Sequence, residues 1–277
     1  MELITLKLIL IALFILLIHS VETLAYAVRL SGARVKLLAS ALSLFNTIVI
    51  VSRMSNMIQQ PFTGSLVDTA PEGSVEFVQG FLADQYRVLI GASTVGTLIG
   101  AMLLPTFVAI FSRAIIQLSV EKGSVPALIK KGFTPYYIKR TFSLFRKPNI
   151  SFLKGLERKH IPMRLFFINM AVTSIYTIGV LSALYASVIA PEYQTTAIMA
   201  SGLINGVATI LLSTLVDPKI SVLADAVING KGSYNYLKGA SVTMVTSRLF
   251  GTIFAQLLFI PGAIYIAWAA KFVVMLK

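Results

Sequence analysis

The sequence predicts an all-α membrane protein of six transmembrane helices, arranged as two inverted three-helix repeats. Three observations carry this expectation. Of the 277 residues, 56% are hydrophobic and only 13% charged, where a soluble domain carries about 25%; mean hydropathy is +0.83. Six apolar stretches reach the ~20 residues a helix needs to cross ~30 Å of hydrocarbon. The few charges are sorted by loop, with 24 Lys and Arg against 11 Asp and Glu.

The first stretch, Leu3 to Val28, begins with Glu2 instead of a basic residue. It lacks a clear A-x-A cleavage site and is longer than a signal peptide, so it reads as a retained helix. The second runs from Leu37 to Ile58. The third, Val88 to Ser112, contains Gly96-x-x-x-Gly100, a spacing that lets helix backbones approach closely. The fourth is Leu165 to Ala190 and the fifth Thr195 to Val216. The sixth, Ala240 to about Val274, holds Pro261-Gly262 and is expected to kink or break there. Residues 1–112 thus carry three helices, 113–164 a basic cytoplasmic segment, and 165–277 three more.

Charge sets the orientation. Arg113 to Arg164 holds 12 of the 24 basic residues against Glu121 and Glu157 alone, which places it in the cytoplasm. Counting outward, the turn Arg29 to Lys36 and the segment Asp217 to Lys238 are cytoplasmic too. The loop Gln59 to Asp84 has Asp68, Glu72, Glu76 and Asp84 with no Lys or Arg, and so lies outside. Both termini are expected outside the membrane. Within the basic segment, Thr134-Pro135 reads as an N-cap and first helical position. Tyr137, Ile138, Phe142 and Phe145 then share one face, and Lys139, Arg140, Ser143, Arg146 and Lys147 the other. Such a helix suits an anionic leaflet, either as a topology anchor or to gather anionic lipid; in a six-span chain no nucleic-acid partner is expected.

Ionisable groups at membrane depth cost about 2.5–3.5 kcal/mol each, so each needs a reason. His19, Glu22, Tyr26 and Arg29 form one stripe on the first helix. Asn46, Arg53, Asn56 and Gln60 form another on the second, and Arg248, Thr252 and Gln256 a third on the sixth. The candidate substrate-binding set is therefore Arg29, Arg34, Arg53, Arg87, Arg248 and Asn46. His19, Glu22, Tyr26 and Gln256 are candidates for coupling or for orienting the helices. Glu22 and Arg248 come out at similar depth and are expected to pair. Arg53 comes out near the outer surface with Arg87, which predicts an inner cationic station (Arg248, Arg29, Arg34) and an outer one (Arg53, Arg87).

No metal or cofactor is expected, because the chain has no cysteine and its two histidines are His19 and His160. The absence of Gly-x-x-x-x-Gly-Lys-Ser/Thr argues against nucleotide hydrolysis. The two halves also match weakly: Tyr26-Ala27 with Tyr185-Ala186, Ala41 with Ala200, and Asn46 with Asn205. A three-helix unit repeated once is necessarily inverted in the membrane.

The run His19 to Tyr26, then Arg29 to Arg34, then Ala41 to Asn46 resembles the Amj (alternate to MurJ) family of bacterial lipid II flippases. So do Ser52-Arg53-Met54-Ser55-Asn56-Met57, Gln60-Pro61-Phe62, Leu66-Val67-Asp68 and Leu215-Val216-Asp217-Pro218. The resemblance implies transfer of undecaprenyl-pyrophosphate-linked peptidoglycan precursor from the inner to the outer leaflet of the bacterial cytoplasmic membrane; it assigns no residue a role. Arginine suits a pyrophosphate, which its planar fork can grip in bidentate fashion. An inside-negative potential favours export of the anion by about 2.3 kcal/mol per charge per 100 mV. Two alternatives stay open. A scaffold or regulator of cell-wall synthesis would keep its activity after the intramembrane charges are neutralised. An enzyme acting on lipid-linked phosphate would need a nucleophile with a base, and no Gly-x-Ser-x-Gly occurs. Six helices enclose little room for a disaccharide-pentapeptide, so a homodimer with a shared or adjacent cavity is expected; a lateral groove on a monomer is the other solution.

Overall fold

A computed structural model describes residues 3–145, 152 and 163–275. It is all-helical among those residues, with six helical segments long and apolar enough to cross a membrane. Helix α1 (Leu6–Val35) is capped by Thr5, whose hydroxyl accepts from the Leu8 amide, and it stops at Lys36, which adopts φ 58°. Helices α2 (Leu38–Asp68) and α3 (Val75–Val120) follow. Two short helices, α4 (Val125–Gly132) and α5 (Pro135–Phe142), lie in the basic segment. The second half comprises α6 (Met163–Ile189), α7 (Gln194–Leu211), α8 (Asp217–Ile228) and α9 (Tyr234–Met275). One π-helical turn, Leu212–Val216, joins α7 to α8.

The helices outrun the apolar stretches that announce them. The expected outer loop, Gln59 to Asp84, is mostly helix: α2 continues to Asp68 and α3 begins at Val75. The turn expected over Arg29 to Lys36 is likewise the last part of α1, and much of the Asp217 to Lys238 segment is α8 and the start of α9. Hydropathy marks the part of a helix that lies in lipid, whereas capping ends the helix itself. Ser74, whose hydroxyl accepts from the Phe77 amide, supplies such a cap for α3. No break occurs at Pro261-Gly262, where α9 is continuous from Tyr234 to Met275. Beside it, Ser182 of α6 donates to the Phe259 carbonyl at 3.0 Å. In the basic segment α5 ends at Phe142, and Tyr136, Ile138, Phe142 and Phe145 are exposed. Arg146, Lys147 and His160 fall outside the described residues. Outside the spans, Lys131 donates to Glu121 and thereby holds its carboxyl below the usual carboxylate range. This pair ties α4 to the end of α3.

Two helix pairs form the centre, α1 on α3 and α6 on α9, with α2 and α7 attached outside. Each central pair is locked by a glycine and a hydroxyl. A Cβ on Gly100 would lie 2.8 Å from the Ser20 carbonyl oxygen and 2.8 Å from the Thr23 Cβ. One on Gly251 would lie 2.7 Å from the Met170 carbonyl oxygen and 2.8 Å from the Thr173 Cβ. Ser20 donates to the Gly96 carbonyl and Ser174 to the Gly251 carbonyl, each at 2.8 Å. In lipid, where helices gain little by excluding water from one another, such close approach and hydroxyl bonds hold a bundle together. The partners in register also give direction: α1 runs parallel to α3 (Ser20 with Gly96, Ser31 with Val108), α6 parallel to α9 (Ser174 with Gly251, Ser182 with Phe259), and the pairs run oppositely (Tyr26 with Asn169, Glu22 with Tyr176). The matched packing relates Thr23 to Thr173, an offset of 150 residues. That pairs Tyr26 with Tyr176, whereas the sequence matches paired Tyr26 with Tyr185.

Gly100→Val is expected to force α1 and α3 apart and cost about 3 kcal/mol, the upper end of ordinary overpacking. The measurement is the yield and melting temperature of monodisperse protein extracted from membranes. Wild-type values for both would remove the packing argument.

Candidate functional site

Glu22 lies thirteen residues before the end of α1, Arg53 fifteen after the start of α2, and Arg248 fourteen after the start of α9. All three sit ~20 Å along their helices from the same end of the bundle, and they line one cavity. Arg29, Tyr26, Ser52, Tyr176 and Asp217 are among its other polar members, and Phe45, Ile48, Val49 and Leu212 among its apolar ones. The cavity encloses about 700 Å³ including the space at its mouth. Residues of α2 (Phe45 to Arg53) and α7 (Ala208 to Thr209) face it, and these two helices make almost no contact with each other.

The charges are arranged in two pairs and a remainder. Arg248 donates to Glu22, as the depth argument expected. The Glu22 carboxylate also accepts from the Ser52 hydroxyl at 2.8 Å and the Tyr176 hydroxyl at 3.0 Å. Arg29 donates to Asp217 at 2.8 Å and stacks 4.0 Å over the Phe45 ring. Arg53 forms no ion pair or hydrogen bond among the described residues. Three guanidinium groups against two carboxylates leave one positive charge uncompensated. The Nε atoms of Arg29 and Arg248 are also buried without a partner. A buried donor left unmade costs about 1–3 kcal/mol, so both guanidinium groups keep hydrogen-bonding capacity that the described residues do not use.

The two-station arrangement expected from sequence does not form. Arg53 is beside Arg29 and Arg248, not beside Arg87. The depth argument ended the first helix at Val28, while α1 continues to Val35. That moves Glu22 two turns further from the bundle end and brings it level with Ser52 and Arg53. Glu22 and Arg53 are nonetheless not partners, as expected. Arg87, exposed on α3, donates to the Gln256 carbonyl at 3.1 Å while Gln256 Nε2 donates back to the Arg87 carbonyl at 2.9 Å. This clasp lies two turns along α9 from Arg248. Asn46 is exposed on α2 outside the cavity, and Arg34 lies in a different pocket at the end of α1. Tyr26 lines the cavity and its hydroxyl donates to Asn169 Oδ1 at 3.4 Å. His19 is buried one turn from Glu22, with Nδ1 unpartnered, and faces a smaller pocket with Asn56, Gln59 and Tyr176. Tyr176 joins the pockets, since Asn56 Nδ2 donates to its hydroxyl at 3.4 Å.

Sequence reading missed Tyr176, Asn169 and Asp217 as site residues. Asn169, Thr173 and Tyr176 form a stripe spaced by four and three, the same signal that picked out the other three helices. Asp217 carried no such signal, because it sits just beyond an apolar span and reads as a loop charge.

The family model that matches, over residues 14–270, is described as Amj: Alternate to MurJ. A relative, the lipid II flippase Amj of Bacillus subtilis (strain 168), is 61% identical over 271 residues, which cover 98% of this chain and 99% of that protein. No solved structure matches the chain.

Proposed function

The chain belongs to the Amj family, and from that membership we propose that it is a lipid II flippase of the bacterial cytoplasmic membrane, a transporter and not an enzyme. The observation that carries the reading at residue level is the cavity between α2 and α7, with its uncompensated arginine. Arg29, Arg53 and Arg248 hold the pyrophosphate, and Phe45 and the aliphatic wall face the first isoprenes. The tail leaves through the gap between α2 and α7 and remains in lipid throughout. Each charge pair is also a latch. Phosphate oxygens competing for Arg248 and Arg29 release Glu22 and Asp217, which couples substrate arrival to rearrangement of α1, α8 and α9.

In this reading the basic segment and both ends of the chain keep the orientation that the charge pattern supports: segment inside, termini outside, anionic lipid against α4 and α5. Two oppositely directed halves suit alternating access. His19 and Glu22 keep a coupling role, with Tyr176 between their pockets. A homodimer would give the bulky headgroup more room; the lateral gap lets a single copy suffice.

Proteoliposomes containing only this protein test the function. Headgroups of lipid II placed in the inner leaflet should become accessible to an external reagent, and those in protein-free vesicles should not. Equal protection in both would reject the flippase reading. Glu22→Gln should free Arg248 for phosphate while keeping the Ser52 and Tyr176 contacts. The expected result is tighter lipid II binding together with slower turnover, read from equilibrium binding and flipping rate on the same preparation. Faster turnover would mean that Glu22 is no competitor for Arg248.

A further inference from the structure

A second pocket lies on the same helix faces, nearer the end of the bundle from which the basic segment leaves. Lys36 sits just past the end of α1, next to Arg34 in its last turn; on α9, Tyr234 and Lys238 continue the stripe Ser241, Val245, Arg248. Arg34, Lys36 and Lys238 line this pocket, over an apolar floor of Pro105 and Val108, and about 990 Å³ is enclosed including its mouth. No carboxylate lines it, and none of the three cations forms an ion pair among the described residues. Lys238 Nζ rests 4.4 Å from the centroid of the Phe152 ring. The central cavity is different in kind, since two of its three arginines are already paired. Leu30, Ile220 and Ala240 are buried and line neither pocket, and the Arg29–Asp217 pair lies in the wall of the central cavity.

Three cations with no ion pair among the described residues, beside an apolar floor at a membrane surface, match one ligand chemistry, a phosphate group carried on a lipid. We infer that this pocket is a loading site, where the pyrophosphate of an isoprenyl-linked lipid binds before it reaches the central cavity. The inference rests on the flippase reading for its choice of lipid. It does not rest on it for the site itself, because the pocket and its cations stand apart from the cavity. Arg34, read from sequence as part of one inner station with Arg29 and Arg248, belongs to this separate site.

The test uses the full chain in nanodiscs of phosphatidylcholine, titrated with farnesyl pyrophosphate by calorimetry. Two molecules should bind per wild-type chain. Arg34→Gln with Lys238→Gln should remove one, weakening it at least tenfold, and Lys238→Arg should retain it. Arg53→Gln should weaken the other. Both variants expose surface-accessible or half-buried positions, and circular dichroism of each preparation checks that the helices remain. Two unchanged sites in the Arg34/Lys238 variant would overturn the inference. So would a single wild-type site that responds only to Arg53→Gln, which leaves the central reading intact. A single site lost only on removing Arg34 and Lys238 would support the inference and count against the central cavity. Phosphatidylglycerol in the nanodisc is the second arm: loss of the farnesyl pyrophosphate site at a few mole per cent would mean an ordinary phospholipid site and overturn the assignment of ligand.

Discussion

Arg53→Ala is expected to abolish lipid II flipping while leaving the melting temperature of the purified protein unchanged. The two halves of that outcome have separate causes. Arg53 has no ion pair or hydrogen bond among the described residues, so its loss breaks nothing that holds the helices together. It is also the charge that the cavity leaves for a ligand. A hydrogen bond to a charged group is worth about 1.5–3 kcal/mol, and a bidentate phosphate contact makes two. The transport rate at low substrate should therefore fall by at least ~100-fold. Arg53→Lys keeps the charge and loses the fork, so partial activity is expected from it. Normal flipping by Arg53→Ala in proteoliposomes would remove this residue from the mechanism and leave the cavity without its anion site.

Arg248→Ala should show the opposite balance, with loss of the fold as well as of transport. Removing the guanidinium leaves the Glu22 carboxylate inside the bundle with the Ser52 and Tyr176 hydroxyls as its remaining hydrogen-bond partners. Breaking a buried pair from one side costs about 3–5 kcal/mol, most of it the penalty of the charge left behind. Adding Glu22→Gln removes that charge. The double variant should recover most of the melting temperature yet remain inactive, since the phosphate has lost a ligand. A single Arg248→Ala protein as stable as wild type would show that Glu22 is solvated or protonated in the resting state. A double variant that flips lipid II would assign Arg248 a structural role alone.

The polar stripes show how far one dimension reaches. Spacing alone grouped His19, Glu22, Tyr26 and Arg29 on one face, and it placed Glu22 level with Arg248; the ion pair between them is there. The same arithmetic sent Arg53 to the far surface, because it counted from where the apolar run stops and not from where the helix stops. Two turns of extra helix in α1 were enough to turn two expected stations into one cavity. Asp217 was lost for a related reason: it starts α8 just past the π-helical turn Leu212–Val216 yet lines the cavity, and no residue pattern announces that placement. Arg87 and Gln256, expected to bind substrate and to couple or orient the helices, donate to each other's backbone carbonyls.

What the sequence determined by itself is whatever solvent decides locally. Twenty apolar residues in a row must lie in lipid and must be helical, because no water is there to satisfy a free backbone. Six such runs and a sorted set of charges therefore gave the span number, the basic segment and the faces on which polar groups lie. Family resemblance over residues 19 to 68 added the substrate. Only the tertiary structure decided which stripes meet, because that depends on relative rotation and offset of helices, quantities set by close contacts between distant residues. Gly100 against Ser20 fixes α3 on α1, Gly251 against Met170 fixes α9 on α6, and the contacts between the two pairs, Tyr26 with Asn169 and Arg87 with Gln256, set the register in which Arg248 meets Glu22. It leaves α2 and α7 with almost no contact, though each contributes residues to the wall of one cavity.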